Sequence, residues 1–320
     1  MTILVTGGAG YIGSHVIKEL LGHKHDVVVL DSLECGHRDA VLSEKFYQAD
    51  IQDRTALEHI FQKESIDLVL HFAGYLSVPE SVVEPEKYYE NNVAGTINLL
   101  SVMRAHGCSK IIFSSSAAVY GEPESTPITE DHTTRPINPY GHSKLIIEQI
   151  LKSYFDAYGV RSVSLRYFCA AGADPDGQLG ERHDPETHVI PLLVKAALAD
   201  TPFYIYGDDY PTRDGSCVRD FIHVTDLADA HVRAINLLEN PVCTYFNLGS
   251  ENGYSVKELV TAMEKIVRKK INAVVVERRH GDPHALVASS QKIREALGWT
   301  PQYSSLEKIL QTALAFLKKG

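Results

Sequence analysis

The sequence predicts an α/β chain: a doubly wound parallel sheet joined to a smaller mixed α/β lobe. Three observations predict it. Short, nearly all-apolar β-rich runs alternate with helix-length stretches through the first half, as expected when helices cover both faces of a parallel sheet. A glycine-rich turn follows the first run directly. Beyond about residue 170 the alternation loosens into segments rich in Gly, Asp and Pro.

The runs are Ile3–Thr6, Asp26–Leu30, Phe46–Asp50, Asp67–Ala73, Lys110–Ser115 and Arg161–Phe168. Helix-length stretches lie between them at Tyr11–Leu21, Thr55–Lys63, Tyr88–Ala105 and Ser143–Tyr158. Ala171–Pro185 reads as a long loop, and a helix fits Val189–Leu198. Phe203–Tyr206 and Ala273–Glu277 fit strands of the second lobe, and Tyr245–Leu248 fits a return to the main sheet.

A net charge of −10 argues against nonspecific nucleic-acid binding, which needs a basic footprint. An anionic ligand would need local arginines. The five cysteines are odd in number and none pair at CxxC spacing, so neither a disulfide framework nor a structural zinc is expected. The N-terminus has no basic region before its apolar run, and no apolar run approaches the roughly 20 residues of a membrane span. The expectation is a cytoplasmic protein with no membrane partner. Among 15 histidines, His23/His25, His183/His188 and His280/His284 are close pairs. None is joined by a carboxylate or Cys pattern with clear ligand spacing, so no metal is expected. His71, on an apolar run, reads as a satisfied core histidine.

The first run enters Thr6-Gly7-Gly8-Ala9-Gly10-Tyr11-Ile12-Gly13. Gly7, Gly10 and Gly13 follow a strand and open a helix at Tyr11-Ile12, the setting in which such spacing binds a dinucleotide. The glycines allow the turn, the approach of a pyrophosphate and tight helix–strand packing, while the helix N-terminus favours the anion. Asp31 lies 18 residues beyond Gly13 at the end of the second run. An acid there accepts from ribose hydroxyls and disfavours an extra phosphate, which selects NAD over NADP. Asp50-Ile51, ending the third run, is the next place that reaches the adenine. The chain is thus expected to divide into a Rossmann domain at 1–170, with a returning segment near 220–250, and a mainly substrate-binding lobe at 171–320.

Pro139-Tyr140-Gly141-His142-Ser143-Lys144 starts a helix, with Tyr140 and Lys144 on one face. A phenol acts as a general base only if its pKa is lowered, and a nearby ammonium does that. Ser114-Ser115-Ser116 ends the fifth run, where carboxyl ends of strands face the ligand crevice. Ser116 is the hydroxyl chosen to meet the same substrate oxygen as Tyr140.

With these residues the chain resembles the extended short-chain dehydrogenase/reductases, and among them the UDP-glucose (UDP-galactose) 4-epimerases. The resemblance runs nearly full length and includes His71–Gly74, Tyr88–Asn92, Ser114–Gly121, Tyr140–Lys144, Arg166–Phe168, Gly207–Thr212, Val218–Val224, Tyr245–Gly249 and Arg278-Arg279 with Gly281-Asp282. It implies epimerisation at sugar C4 through a 4-keto intermediate, with Ser116, Tyr140 and Lys144 catalytic and NAD retained through turnover. It implies Phe72-Ala73-Gly74, Asn91 and Tyr167 beside the cofactor. Arg219 and Arg279 would meet the UDP diphosphate, and Asp282 the uridine ribose. A homodimer through the Tyr88–Ala105 and Ser143–Tyr158 helices is also implied.

Three positions depart from that pattern: Cys169 where Asn is usual, Leu76 where some members carry Lys, and Leu286 where side-chain bulk is thought to gate N-acetylated sugars. A 4,6-dehydratase would want an Asp-Glu pair where this chain has Ser-Ser-Ser-Ala. A UDP-pentose or UDP-GlcNAc/GalNAc 4-epimerase shares the chemistry and stays open. A non-catalytic NAD sensor is disfavoured because Tyr140 and Lys144 are both present.

Overall fold

The computed structural model describes residues 1–279 and 283–319. Strand β1 (Thr2–Thr6) leads into α1 (Tyr11–Gly22), β2 (Asp26–Asp31), β3 (Lys45–Gln48), α2 (Arg54–Lys63) and β4 (Leu68–His71). Short helices α3 (Val78–Val83) and α4 (Pro85–Tyr88) precede α5 (Gly95–Ala105). Strand β5 (Lys110–Ser116), α6 (Pro139–Tyr158) and β6 (Arg161–Tyr167) follow. The chain continues through β7 (Cys169–Ala171), α7 (Val189–Ala199), β8 (Phe203–Tyr206), β9 (Val218–His223), α8 (Val224–Ala234) and β10 (Cys243–Leu248). It ends with β11 (Gly253–Ser255), α9 (Val256–Val267), β12 (Ala273–Val276), β13 (Ala285–Leu286), α10 (Gln291–Leu297) and α11 (Leu306–Leu317).

The six β-rich runs of the first half all become strands of one seven-stranded sheet, ordered β10-β6-β5-β4-β1-β2-β3. The Tyr245–Leu248 run falls within β10, at its edge. Strand β1 pairs in parallel with both β2 and β4, and Thr6 lies opposite Leu30 on one side and His71 on the other. The carboxyl ends of these strands are therefore level, and the segments leaving them emerge on one edge. Chain order reverses between β1 and β4, the place where doubly wound sheets bind ligands. Both faces are covered, so strand residues such as Leu4, Val28, Leu30, Val69 and Ile111 are buried with Leu57, Ile60, Leu99, Leu100 and Met103 from the helices.

One helix is widened in its middle. Tyr88–Ala105 is helical throughout, but between α4, which ends at Tyr88, and α5, which begins at Gly95, one π-helical turn spans Tyr89–Ala94. The Asn92 carbonyl accepts from Thr96 Oγ1 at 2.5 Å, and its side chain reaches out of the helix. Side-chain groups bonding into the helical ladder are a recognised cause of such widened turns.

The chain folds as two units, each assembled from separate stretches of sequence. The first is Met1–Gly121, Thr133–Arg166 and Ala228–Phe246; the second is Glu122–His132, Tyr167–Leu227 and Asn247–Gly320. In the second, β9 is the hub, pairing in parallel with β7 and β13 and antiparallel with β11. Sequence reading placed no strand there, because Arg219 and Asp220 interrupt the apolar run. Asp220 is fully buried, yet it is satisfied by Ser250, Glu251 and Ala288. The expected runs at Phe203–Tyr206 and Ala273–Glu277 form β8 and β12, which pair with each other. Helices α7, α9 and α11 pack mutually over Ile190, Leu193, Leu259, Met263, Ile309 and Leu310. Among the described residues no helix is long and apolar enough to cross a membrane, and all five cysteines are free thiols.

Candidate active site

The turn after β1 is shaped by close approach. Gly7 has φ +70°, and a Cβ on it would lie 2.5 Å from the Ala73 backbone nitrogen. A Cβ on Gly13 would lie 2.4 Å from the Gly7 carbonyl oxygen. The sequence thus folds into a tight cradle ending at Gly10, which precedes α1. No side chain caps α1 and its first turn holds no acid. Its first N–H groups are directed at the cradle, with the positive end of the helix dipole behind them. Tyr11 and Ile12 are half-buried at this turn.

Asp31 is buried at the end of β2, and its carboxylate accepts from Ala9 N at 2.9 Å and Leu33 N at 2.8 Å. Burial pushes its pKa up, opposed by those two backbone donors. The carboxylate is thereby fixed beside the cradle, in the position that suits a ribose. This donor set fits a dinucleotide: a glycine cradle for the pyrophosphate and an oriented acid near the adjoining strand end. Phe72 and Ala73 both donate to the Thr6 carbonyl, at 2.9 and 3.1 Å, so the 72–74 segment lines the same edge. Asp50 accepts from Gln52 N, and Ile51 is buried in the core against α5.

Helix α6 begins with Asn138 accepting from Gly141 N at 2.8 Å and with Pro139 at its first turn. A Cβ at Gly141 would lie 2.5 Å from the Ala118 carbonyl oxygen, so only glycine lets the helix start this close to the turn after β5. That approach brings Tyr140 near Ser116, whose hydroxyl acts to lower the phenol pKa. Ser116 Oγ also accepts from Ala118 N at 3.1 Å. Lys144 is buried, its Nζ 5.8 Å from the Tyr140 ring centroid and donating to the Ser114 carbonyl at 2.8 Å. Ser116, Tyr140 and Lys144 are thus together at the carboxyl end of β5.

The electrostatics differ from the simplest expectation. Burial raises the Tyr140 pKa, and the neighbouring Ser116 hydroxyl lowers it in part. Burial also lowers Lys144 to about 8, opposed by the Glu148 carboxylate. An ammonium that is itself desolvated is a weaker stabiliser of tyrosinate than a fully charged one. His71 is held neutral, pushed down to about 3 by burial and then by Lys144, with its ring nitrogens bonded to Thr6 and Thr96 at 2.7 and 2.8 Å.

Sequence reading missed Asn92. It is buried, its amide oxygen accepts from Tyr75 N at 2.9 Å, and its NH2 donates to Tyr75 O at 3.0 Å and Ser143 Oγ at 3.2 Å. Ser143 Oγ in turn donates to the Tyr140 carbonyl at 2.7 Å. The π-helical turn therefore ties the loop after β4 to the first turn of α6. Asn91, the expected residue of the pair, donates to Asn92 Oδ1 at 2.9 Å. The Asn-Asn doublet was the available signal.

Tyr167 ends β6 and is buried. Within the second unit, Arg219 lies on β9 opposite Leu286 of β13, and its Nη1 donates to the Val218 carbonyl. The Arg279 guanidinium stacks 4.0 Å from the Tyr206 ring centroid. Cys169 lies opposite Phe221 on β9, and Leu76 is exposed. His280, Gly281 and Asp282 lie outside the described residues, and with them the expected uridine-ribose contact. The His183/His188 pair showed no ligand spacing in the sequence, yet Glu181 and Glu186 lie against both rings. The residues alternate along a loop, so the spacing matched no helix-based ligand pattern.

Residues 3–249 match the model of the NAD dependent epimerase/dehydratase family. A "UDP-glucose 4-epimerase" of Lacticaseibacillus casei is 50% identical over 316 residues, covering 98% of this chain and 96% of the relative. The structure of the UDP-glucose 4-epimerase from Brucella ovis in complex with NAD superposes with a TM-score of 0.95 at 47% identity, covering 98% of this chain and 97% of that one. That from Bifidobacterium longum, in complex with NAD+ and UDP, has a TM-score of 0.95 at 39% identity, covering 100% and 99%. The chain belongs to the NAD dependent epimerase/dehydratase family, on the branch whose relatives are named UDP-glucose 4-epimerase.

Proposed function

We propose that the protein interconverts UDP-galactose and UDP-glucose by NAD-dependent oxidation and re-reduction at sugar C4. The observation that carries this reading is the Ser116–Tyr140–Lys144 constellation at the end of β5, in a chain half identical to named UDP-glucose 4-epimerases. NAD, when bound, supplies the acceptor and donor for the C4 hydride, chemistry that belongs to the cofactor. Gly7, Gly10, Gly13, Tyr11 and Ile12 hold its pyrophosphate side. Asp31 holds the adenosine ribose, while Asp50 and Ile51 bound the adenine. Phe72-Ala73-Gly74, Asn91 and Tyr167 line its remaining length.

Tyr140 takes the proton from the sugar 4-hydroxyl as the 4-keto sugar forms, and returns it after the sugar has turned over. Ser116, beside the phenol, orients the reacting oxygen so that its proton passes to Tyr140 over a short path. Because burial alone keeps the phenol protonated, Tyr140 ionises only when positive charge is added nearby. Lys144, buried on the same helix face, and the oxidised cofactor when bound would supply that charge. Base strength is thereby coupled to cofactor occupancy and oxidation state.

Arg219 and Arg279 bind the UDP diphosphate, which gives an acidic chain the local cations an anionic substrate needs. Asp282 completes the uridine side. Two copies of the chain pair through α5 and α6, where a groove lined by Ile97, Ile146, Gln149, Ile150, Ser153 and Tyr154 lies on the outer face and Ile97 is 42% exposed. Light scattering coupled to gel filtration is expected to give twice the chain mass; a monomer at micromolar concentration removes that part of the reading.

The direct test is to incubate purified protein with UDP-galactose, and separately with UDP-GlcNAc, UDP-xylose and UDP-arabinose, without added NAD. UDP-galactose is expected to yield UDP-glucose with cofactor retained. Turnover of only another UDP-sugar would move the substrate assignment and point to the Leu286 and Cys169 positions. No turnover with NAD added would reject the catalytic reading.

A further inference from the structure

The loop between β7 and α7 brings two imidazoles and two carboxylates together in the second unit. Glu181, His183, Glu186 and His188 each offer one ligand atom, all within 4.8 Å of one another. The four nitrogen–oxygen separations are 2.9 Å (His188 Nδ1–Glu181 Oε1), 3.3 Å (His183 Nδ1–Glu181 Oε1), 3.5 Å (His188 Nδ1–Glu186 Oε1) and 3.7 Å (His183 Nδ1–Glu186 Oε1). They bracket the edge of about 3.3 Å that a tetrahedron has when its bonds to zinc are about 2.0–2.1 Å.

A second observation is independent of those distances. His183 Nδ1, His188 Nδ1 and Glu186 Oε2 are buried atoms that complete no hydrogen bond, close as the carboxylates come. The Glu181 and Glu186 side chains are only 6% and 4% exposed. Buried polar atoms without a well-directed hydrogen bond are rare in native folds. Both Nδ1 atoms face the same two carboxylate oxygens at 2.9–3.7 Å without a well-directed hydrogen bond, a gathering that one ion would serve. The loop is held in place around that point: Glu186 Oε1 accepts from Thr187 N and His188 N, both at 2.9 Å. Ala173 and Gly180 form a β-bridge. Gly180 is pressed so closely on Phe316 of α11 that a Cβ there would lie 2.2 Å from the ring.

We propose that Glu181, His183, Glu186 and His188 form a divalent transition-metal site whose occupant is Zn2+, bound through two imidazole Nδ1 atoms and two carboxylates. Two nitrogen ligands disfavour Mg2+ and Ca2+, which take oxygen. Four protein ligands close the coordination sphere, so the ion is structural and fastens the loop to the start of α7. Without an ion the carboxylates would hold both histidines protonated. Burial pushes their pKa down, but Glu181 and Glu186 outweigh it and keep His183 at about 9 and His188 at about 10. The rival state is therefore a plain ion-pair cluster.

The test uses untagged full-length protein, stripped with a chelator and then exposed to ZnCl2 or CoCl2 at micromolar free metal. Elemental analysis after gel filtration is expected to find about one Zn2+ per chain, and Co2+ is expected to give the intense visible bands of four-coordinate geometry. His188→Ala and Glu181→Gln are expected to retain at least tenfold less zinc at the same free metal. Zinc should raise the melting temperature of the wild type and not of either variant. Wild-type protein that emerges without zinc, or with only the weak bands of six-coordinate Co2+, overturns the proposal in favour of the ion-pair cluster. So does equal binding by the folded variants, which would mean adventitious sites. If neither variant folds, the wild-type stoichiometry and Co2+ spectrum decide alone.

Discussion

Two buried cations lie within a short stretch of the first unit, and the fold treats them oppositely. Arg166 is bidentate to Glu148, with Nη2–Oε2 at 2.6 Å and Nε–Oε1 at 2.9 Å, and it also donates to Tyr120 OH at 2.9 Å. Burial disfavours its charge, but Glu148 more than restores it and its pKa stays above the usual arginine range. Lys144 stands one helical turn before Glu148 and bonds instead to a neutral carbonyl. Its pKa falls to about 8. A charge that is paired is fixed and holds structure. A charge that is desolvated without a committed partner remains responsive, and that is the one beside the phenol.

The comparison breaks most visibly at the phenol. Tyr140→Phe keeps the ring and removes the proton carrier, and is expected to lower kcat for UDP-galactose by about 10³-fold or more, near the upper part of what general acid–base catalysis contributes. KM should change little, because Ser116 and the diphosphate contacts remain. A variant with more than a tenth of wild-type kcat would remove Tyr140 from the base role. Next in size is Glu148→Gln, which leaves the Arg166 charge buried without its partner. Such losses cost about 3–5 kcal/mol, readable as a shifted urea midpoint at unchanged slope. A shift under about 1 kcal/mol would mean that Tyr120 and the Tyr245 ring, 3.9 Å from the guanidinium, suffice to hold the arginine.

How much of this was legible in the sequence varied with whether neighbours along the chain are neighbours in space. The glycine cradle, Asp31 and the Tyr140/Lys144 pair lie on a strand end or a single helix turn, where period and spacing carry the geometry. The π-helical turn was not legible, because Tyr88–Ala105 has an unbroken helical pattern and the widening comes from Asn92 reaching Tyr75 and Ser143. Nor was β9, whose buried Asp220 reads as a surface acid until Ser250, Glu251 and Ala288 arrive from distant segments. The Glu181/His183/Glu186/His188 cluster was missed for a related reason: its residues are near in sequence, but only the folded loop points them inward. Even at the phenol, spacing revealed the partner and not the sign of the net shift, which burial controls.

The smallest effect sharpens the comparison most. Lys144 has a folded pKa of about 8 against 10.5 in the absence of the fold. Below about pH 8 both states carry the proton, and the folded chain bears the full cost of the buried ammonium. Between about 8 and 10.5 the unfolded chain binds more protons, so folding stability contributed by this group rises with pH. The span corresponds to about 3 kcal/mol at most. Lys144→Met lacks the titration, and groups elsewhere cancel when the two proteins are compared. The difference in unfolding free energy, wild type minus variant, should therefore climb between pH 7 and 10 in NAD-free protein measured by urea denaturation. Parallel curves would mean that Lys144 stays charged throughout. Its carbonyl partner would then serve as well as a carboxylate, and the distinction between the fixed and the responsive cation would vanish.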